Sequence, residues 1–160
     1  MSNKEIKIEI VEDEQIIAMD LKRLLVKEGY TVVGIANSGE RALALHAEKQ
    51  PDLMFVDINL KGEMSGVDMV AELRKTSETP IIYLTSVTNY NTVKRATNTE
   101  PLAFLNKPFN EFQLKTTIEI SLNRFYQEAE EKQSLEKEIG LKEMNINELT
   151  ETNSHLITAT

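Results

Sequence analysis

Short apolar runs alternate with segments of helical periodicity over the first 120 residues of the chain. The runs are rich in isoleucine and valine, and their length is typical of strands buried on both faces of a sheet. The predicted strands are residues 6–11, 31–36, 53–57, 81–85 and 103–106.

The segments between the runs have the spacing of amphipathic helices. A first helix carries an apolar stripe from Ile17 to Leu25, and we expect it to end at Gly29. Ser38 and Ser65 each precede an apolar periodic segment, so they are the expected N-caps of the second and third helices.

Strand and helix alternate five times with short connections, which favours a parallel sheet covered by helices on both faces. Right-handed crossovers leave few arrangements, and we expect an α/β, doubly wound, flavodoxin-like sheet of five strands in the order 2-1-3-4-5. Ligands of such sheets bind beyond the carboxyl ends of the strands. Residues at these ends are therefore the candidates for chemistry.

Three carboxylates, a hydroxyl and an ammonium follow the predicted strands at their carboxyl ends. Each one alone is most simply a solvated strand end, and acids also favour the start of a helix. Packed together, however, three carboxylates raise one another's pKa unless a cation lies among them, and Mg²⁺ prefers such oxygen ligands. The residues are Glu12, Asp13, Asp57, Thr85 and Lys107.

Asp57 is the best candidate nucleophile of this set, because it ends the central strand and a carboxylate oxygen can attack phosphorus. The Lys107 ammonium and the Thr85 hydroxyl suit the neutralisation of phosphoryl oxygens as charge develops on them. Asp13, with Glu12, is better placed to hold a metal ion.

The chain resembles the receiver domain of two-component response regulators over residues 5–122. Supporting stretches are IEIVEDE, DLMFVDINLKGEMSGVDM, PIIYLTS and AFLNKPF. Each motif alone is weak, but four motifs in order at the ends of four of the five predicted strands are a specific signal. The motifs centre on Glu12-Asp13, Asp57, Thr85 and Lys107-Pro108-Phe109.

The resemblance implies a role in phosphorylation for several residues. Asp57 would be the phosphoacceptor, and Thr85 and Lys107 would contact the phosphoryl group. The Lys107–Pro108 peptide bond would be cis. Phe104 would be the switch aromatic that turns inward when Thr85 moves toward phosphate, although a plain core residue of the fifth strand fits the same position.

The resemblance also implies a Mg²⁺ cofactor. Asp13, Asp57 and the backbone carbonyl of Asn59 would bind the ion, and Glu12 would assist through water. Asn59 and Val87 flank the site and are expected to tune hydrolysis of the phosphoryl group.

One segment departs from the usual pattern of the family. Residues 98–101, Asn-Thr-Glu-Pro, stand where receivers usually have Gly-Ala before the fifth strand. The departure removes no chemical group from the site. It leaves open the shape of the surface from the fourth helix to the fifth strand, where receivers usually meet partners.

From residue 111 the chain has the pattern of one long helix with a coiled-coil seam. We expect a receiver over residues 1–122 and a helical extension over residues 123–160 that mediates a parallel homodimer, with a frayed, solvated helix as the alternative. The chain ends in mid-helix, which favours a linker to a missing output or sensory module. A stammer near Lys132 separates the two stretches of the seam, at positions 118, 122, 125 and 129 and at positions 135, 139, 142, 146, 149, 153 and 156.

Composition narrows the classes of function. A net charge of −8 argues against direct nucleic acid binding by this chain, since phosphate contacts need a basic face. The apolar runs are too short to span a bilayer and the first residues lack the core of a signal peptide, so a cytoplasmic protein without membrane contact is expected. The absence of cysteine excludes disulfides, thiolate zinc sites and cysteine nucleophiles.

The leading interpretation is a receiver that accepts a phosphoryl group on Asp57 from a histidine kinase or a phosphotransfer protein. It would switch conformation to regulate an attached or partner output, with self-catalysed phosphotransfer and slow autodephosphorylation but no turnover of a substrate. The alternative is a receiver-like dimerisation scaffold that is not phosphorylated in vivo. An enzyme of the haloacid dehalogenase type is disfavoured, because Asn59 stands where its general acid–base aspartate would be.

Overall fold

A computed structural model describes residues 5–86 and 89–159, with side chains described up to residue 147. Strands and helices alternate along these residues, as the apolar pattern predicts. The strands are β1 (Lys7–Val11), β2 (Thr31–Ala36), β3 (Leu53–Asp57), β4 (Ile81–Thr85) and β5 (Ala103–Asn106). The helices are α1 (Gln15–Lys27), α2 (Gly39–Lys49), α3 (Gly66–Leu73), α4 (Tyr90–Thr97) and α5 (Glu111–Ala159).

The five strands form one parallel sheet in the order β2-β1-β3-β4-β5. This order confirms the predicted doubly wound arrangement. The central strand β3 and its neighbour β4 are buried throughout, whereas most residues of the edge strand β2 are only partly buried. The prediction that the strands are buried on both faces is therefore confirmed for β3 and β4 and is wrong for β2.

One apolar core joins the sheet to the helices α2, α3 and α4. Met54 and Val56 of β3 and Tyr83 of β4 pack in this core with Ala42 of α2 and Ala96 of α4. Burying such side chains contributes roughly 1.5–3 kcal/mol for each large apolar residue. This core fixes the positions of the strand ends that carry the polar residues.

The predicted helix caps are confirmed. The Ser38 side chain accepts a hydrogen bond from the Arg41 backbone N–H at the start of α2. Ser65 caps α3 in a capping box with Asp68, in which each side chain accepts from the other residue's backbone N–H at 3.1 Å. The helix α1 ends at Lys27, ahead of Gly29, which has a φ of 94°.

Gly66 begins α3 directly against the end of β3. A Cβ atom at this position would clash with the backbone oxygen of Asp57, far inside van der Waals contact. Only glycine lets the helix approach the strand this closely. The start of α3 and the carboxyl end of β3 are thereby held together.

The chain divides into two units, one up to Ser121 and one from Leu122. The second unit contains the part of α5 from Leu122 onward, and several of its apolar side chains are exposed, among them Leu135, Ile139 and Ile146. The seam positions 149, 153 and 156 lie beyond the described side chains. In the part of the chain that the structure describes, no helix is both long and apolar enough to cross a membrane.

Candidate functional site

Three carboxylates converge at the carboxyl end of the sheet. Glu12 and Asp13 follow β1, Asp57 ends β3, and the two strands are adjacent and parallel, with Val11 paired to Val56. One carboxylate oxygen from each acid lies within 4.8 Å of the others. Glu12 and Asp57 are buried, whereas Asp13 is partly exposed. The predicted acidic cluster is therefore assembled in the structure.

Lys107 brings a positive charge to these acids from the residue that follows β5. Its Nζ donates to Glu12 Oε1 at 2.8 Å and lies 3.3 Å from Asp57 Oδ2. Burial alone would lower the pKa of Lys107, but the hydrogen bond to Glu12 and the charge of Asp57 raise it overall. The ammonium therefore stays protonated at neutral pH.

The surroundings of Glu12 oppose its ionisation. Burial and the nearby Asp57 raise its pKa to about 7, against the opposing effect of Lys107. Its second oxygen, Oε2, has no hydrogen-bond partner among the described residues. One ammonium does not balance the negative charge of clustered carboxylates. A further cation would therefore stabilise the site.

The loop after β3 closes over the acids with its backbone. The Asn59 N–H donates to Asp57 Oδ1 at 3.0 Å, and the Lys61 N–H donates to Asp13 Oδ2 at 3.1 Å. One oxygen of Asp57 is thus held by the loop while the other lies beside Lys107. The predicted role of the Asn59 carbonyl as a metal ligand stays a prediction.

Thr85 and Phe104 lie on the side of the site formed by β4 and β5. Thr85 is buried and follows Leu84, the residue of β4 that pairs with Asp57. Phe104 is partly buried, packs against the core of α2, α3 and α4, and stacks on Tyr83 with ring centroids 5.6 Å apart. Its position is compatible with both the predicted switch role and a plain core role.

A cavity of about 380 Å³ opens beside Lys107. Glu14, Ile17 and Asp20 of the α1 region form one side of it, and Pro108 and Phe109 form another. The Lys107–Pro108 peptide bond is cis, as the resemblance implies. Val87, which was expected to tune hydrolysis, lies outside the described residues.

The oxygen ligands of the cluster fit Mg²⁺. All donors are carboxylates, and one buried oxygen has no partner among the described residues. Magnesium ions in proteins typically bind one or two carboxylates and keep several waters, which matches a site with one partly exposed acid.

A third buried acid, Glu9 of β1, was not predicted from the sequence. Glu9 is fully buried, neither of its oxygens has a hydrogen-bond partner among the described residues, and burial raises its pKa to about 8. The sequence feature that marks Glu9 is a single acid between Ile8 and Ile10. In the structure, its strand β1 pairs with β2 on one side and with β3 on the other. Glu9 pairs in register with Gly34 and Met54, away from the acidic cluster.

Comparison with known proteins gives a consistent result. The family model "Response regulator receiver domain" matches residues 8–119. The chain is 35% identical over 119 residues to the transcriptional regulatory protein PdtaR of Mycobacterium tuberculosis, covering 74% of this chain and 58% of PdtaR. It is 36% identical over 125 residues to the phyllosphere-induced regulator PhyR of Methylorubrum extorquens, covering 77% of this chain and 45% of PhyR.

A solved structure with the same fold is the signal receiver domain of a modulated diguanylate cyclase from Desulfovibrio desulfuricans G20. It superimposes with a TM-score of 0.71 at 34% identity, covering 76% of this chain and 97% of that domain. The chain thus spans about half the length of the curated relatives, and nearly all of the isolated receiver.

Proposed function

Because the chain belongs to the response regulator receiver domain family, we propose that Asp57 accepts a phosphoryl group from a histidine kinase or a phosphotransfer protein. The observation that carries this proposal is the environment of the Asp57 carboxylate. One of its oxygens is held by the Asn59 N–H, and the other lies 3.3 Å from the Lys107 ammonium. The carboxylate is thereby oriented for attack beside a fixed positive charge.

In the proposed reaction, an oxygen of Asp57 attacks phosphorus in line and forms an acyl phosphate. The bond from phosphorus to the donor's imidazole nitrogen breaks, and its electron pair leaves with the nitrogen. Lys107 neutralises a phosphoryl oxygen, and the Thr85 hydroxyl donates to another as charge develops. Thr85 ends β4, the strand next to β3, and Lys107 follows β5, the strand beyond β4.

The reaction depends on Mg²⁺ held by Asp13, Asp57 and the backbone carbonyl of Asn59, with Glu12 assisting through water. When bound, the ion neutralises charge on the acids and on the phosphoryl oxygens. Asp13 is partly exposed and Glu12 is buried beside Lys107, so Asp13 is the more accessible ligand.

Phosphorylation then biases a two-state domain, in which Thr85 moves toward the phosphoryl group and Phe104 responds. The phosphoryl group shifts this balance only by its differential interaction with the two states. The result is regulation of an attached or partner output. We place this activity in the cytoplasm, without direct contact to nucleic acid or membrane.

The second unit is proposed to form a parallel homodimer. Leu135, Ile139 and Ile146 are 57%, 48% and 61% exposed and follow one another at coiled-coil spacing. Isoleucine at a and leucine at d favour two-stranded, parallel coiled coils. A second copy of the chain would bury this stripe.

The test is phosphorylation with acetyl phosphate, and binding of beryllofluoride, in the presence of Mg²⁺. Wild type is expected to react, and Asp57→Asn is not. Asp52→Asn is a matched control at the other end of β3, where Asp52 accepts a hydrogen bond from the Lys7 N–H. Equal labelling of Asp57→Asn and wild type would contradict the assignment of Asp57 as the phosphoacceptor.

The alternative is a receiver-like dimerisation scaffold that is not phosphorylated in vivo. A Mg²⁺-dependent transfer from a phosphorylated histidine kinase to Asp57 separates the two functions. If the chain dimerises but takes no phosphoryl group from any histidine kinase of its source organism, the scaffold is the better description.

A further inference from the structure

A buried hydrogen bond joins the aromatic pair of β4 and β5 to the end of α4. Tyr83 and Phe104 are paired in register on adjacent strands, and their rings stack at an interplanar angle of 26°. The far end of Tyr83 is 2.7 Å from Thr99 Oγ1, in the turn that follows α4. Phe104 therefore touches a residue that reaches across the core to α4.

The direction of this hydrogen bond follows from the other partners of Thr99. The Thr99 hydroxyl has one proton, which it donates to the Ala96 carbonyl of α4 at 2.6 Å. Tyr83 must then be the donor to Thr99. Burial raises the pKa of Tyr83 to about 12, so the phenol keeps its proton at any physiological pH.

The turn at Thr99 is fixed from a second side by Arg74, at the end of α3. Arg74 Nε donates to the Thr99 carbonyl at 2.9 Å, and Nη1 donates to the Thr79 carbonyl at 2.8 Å. The next residue, Glu100, has a left-handed φ of 56°. Thr99 is thus held by α3, β4 and α4 together, within the segment that departs from the usual Gly-Ala of the family.

We propose that Tyr83 and Thr99 are positioning residues of the switch, through which a change at Phe104 is transmitted to the carboxyl end of α4. This inference rests on the proposed function of Asp57 and Phe104. Movement of Phe104 alters the surface on which the Tyr83 ring is stacked. The Tyr83 hydroxyl carries that change to Thr99, and the Thr99 hydroxyl carries it to the last turn of α4.

The test follows amide hydrogen exchange of residues 90–99 in the full chain, with and without beryllofluoride and Mg²⁺. Tyr83→Phe keeps the ring and removes the hydroxyl, and Thr99→Val keeps the shape and removes the acceptor. Thr99→Ser restores the hydroxyl. Tyr90→Phe is the matched control, because Tyr90 is an exposed tyrosine of α4.

Wild type, Thr99→Ser and Tyr90→Phe are expected to change exchange in α4 when beryllofluoride binds. Tyr83→Phe and Thr99→Val are expected to bind it with affinity within about threefold of wild type but to lose more than about half of that change. A full α4 response in Tyr83→Phe overturns the proposal. So does an α4 that is already unprotected in both hydroxyl-deleted variants without ligand, since the hydroxyls would then only hold the helix folded.

Different results would contradict the phosphoacceptor assignment of Asp57 and the relay through Tyr83. If wild type binds no beryllofluoride, the phosphoacceptor assignment fails and the relay fails with it. If wild type binds and responds while the variants respond equally, only the relay is wrong.

Discussion

The Lys107 ammonium donates a hydrogen bond to Glu12 across 2.8 Å, joining residues that lie 95 positions apart in the chain. Glu12 follows the first strand and Lys107 follows the last, so the contact spans the site over Asp57. Both side chains are largely buried, with exposed fractions of 11% for Lys107 and 0% for Glu12. The first prediction below depends on this buried charge.

Replacing Lys107 with methionine is expected to slow phosphorylation of Asp57 by acetyl phosphate by a factor on the order of 10². The reason is that the variant removes the fixed charge nearest the reacting oxygen while leaving the metal ligands. The measurement is the rate of acyl phosphate formation in saturating Mg²⁺. Lys75→Met is the control, because Lys75 is 70% exposed on the surface and forms an ion pair with Glu72, away from the site. A rate equal to that of wild type would contradict the proposed role of Lys107 in phosphoryl transfer.

Glu9 is expected to make the stability of the protein fall as pH rises. Its pKa is about 8 in the folded state and about 4.5 in the unfolded chain. Its contribution to the free energy of unfolding is therefore fully present below pH 4.5 and is lost progressively as the pH rises to about 8. The loss amounts to roughly 3–5 kcal/mol.

Urea unfolding of wild type and Glu9→Gln between pH 5 and pH 9 measures this dependence. The variant should lack the part of the slope that comes from Glu9, whereas Glu5→Gln, at an exposed position, should keep it. Parallel pH profiles for wild type and Glu9→Gln would show that a hydrogen-bond donor or water stabilises the Glu9 carboxylate in solution.

Gly66→Ala is expected to destabilise the fold by more than about 2 kcal/mol, because the new Cβ would meet the backbone of Asp57. The shift of β3 or α3 should also impair phosphorylation. Gly140→Ala is the opposite case, since it lies in α5 with open space around it and should stabilise the helix by about 0.5–1 kcal/mol. Thermal unfolding of the two variants compares them, and an unchanged midpoint for Gly66→Ala would contradict the close approach.

Replacing Ile139 and Ile146 together with aspartate is expected to convert the proposed dimer to a monomer. Both positions belong to the seam, where a buried charge opposes association. Leu141→Asp is the control, because Leu141 is similarly exposed but lies off the seam. Multi-angle light scattering gives the mass of each variant. A double variant that remains dimeric places the interface elsewhere.

The sheet, its strand order and the acidic cluster were predictable from the sequence because each follows from short-range pattern. Runs of isoleucine and valine mark buried strands, and parallel strands bring Asp13 and Asp57 to the same edge whatever the details of packing. The starts of α2 and α3 were predictable because Ser38 and Ser65 cap them through local hydrogen bonds.

Glu9 and the bond between Tyr83 and Thr99 were not predicted, because both depend on contacts distant in sequence. An acid between two isoleucines has the pattern of a solvent-facing strand position, whereas β1 lies inside the sheet between β2 and β3 and Glu9 is fully buried. Thr99 marked an unusual segment, but its partner lies 16 residues earlier and is set by the packing of α4 on the sheet.

The long separation between Glu12 and Lys107 also has a consequence for protein synthesis. A ribosome-bound chain that has not yet released residue 107 lacks the ammonium that lies beside Asp57, even if its first four strands have paired. The complete acceptor site therefore exists only after the fifth strand has joined the sheet. A nascent chain would then become receptive to a phosphoryl donor only once its fifth strand and Lys107 have joined the site.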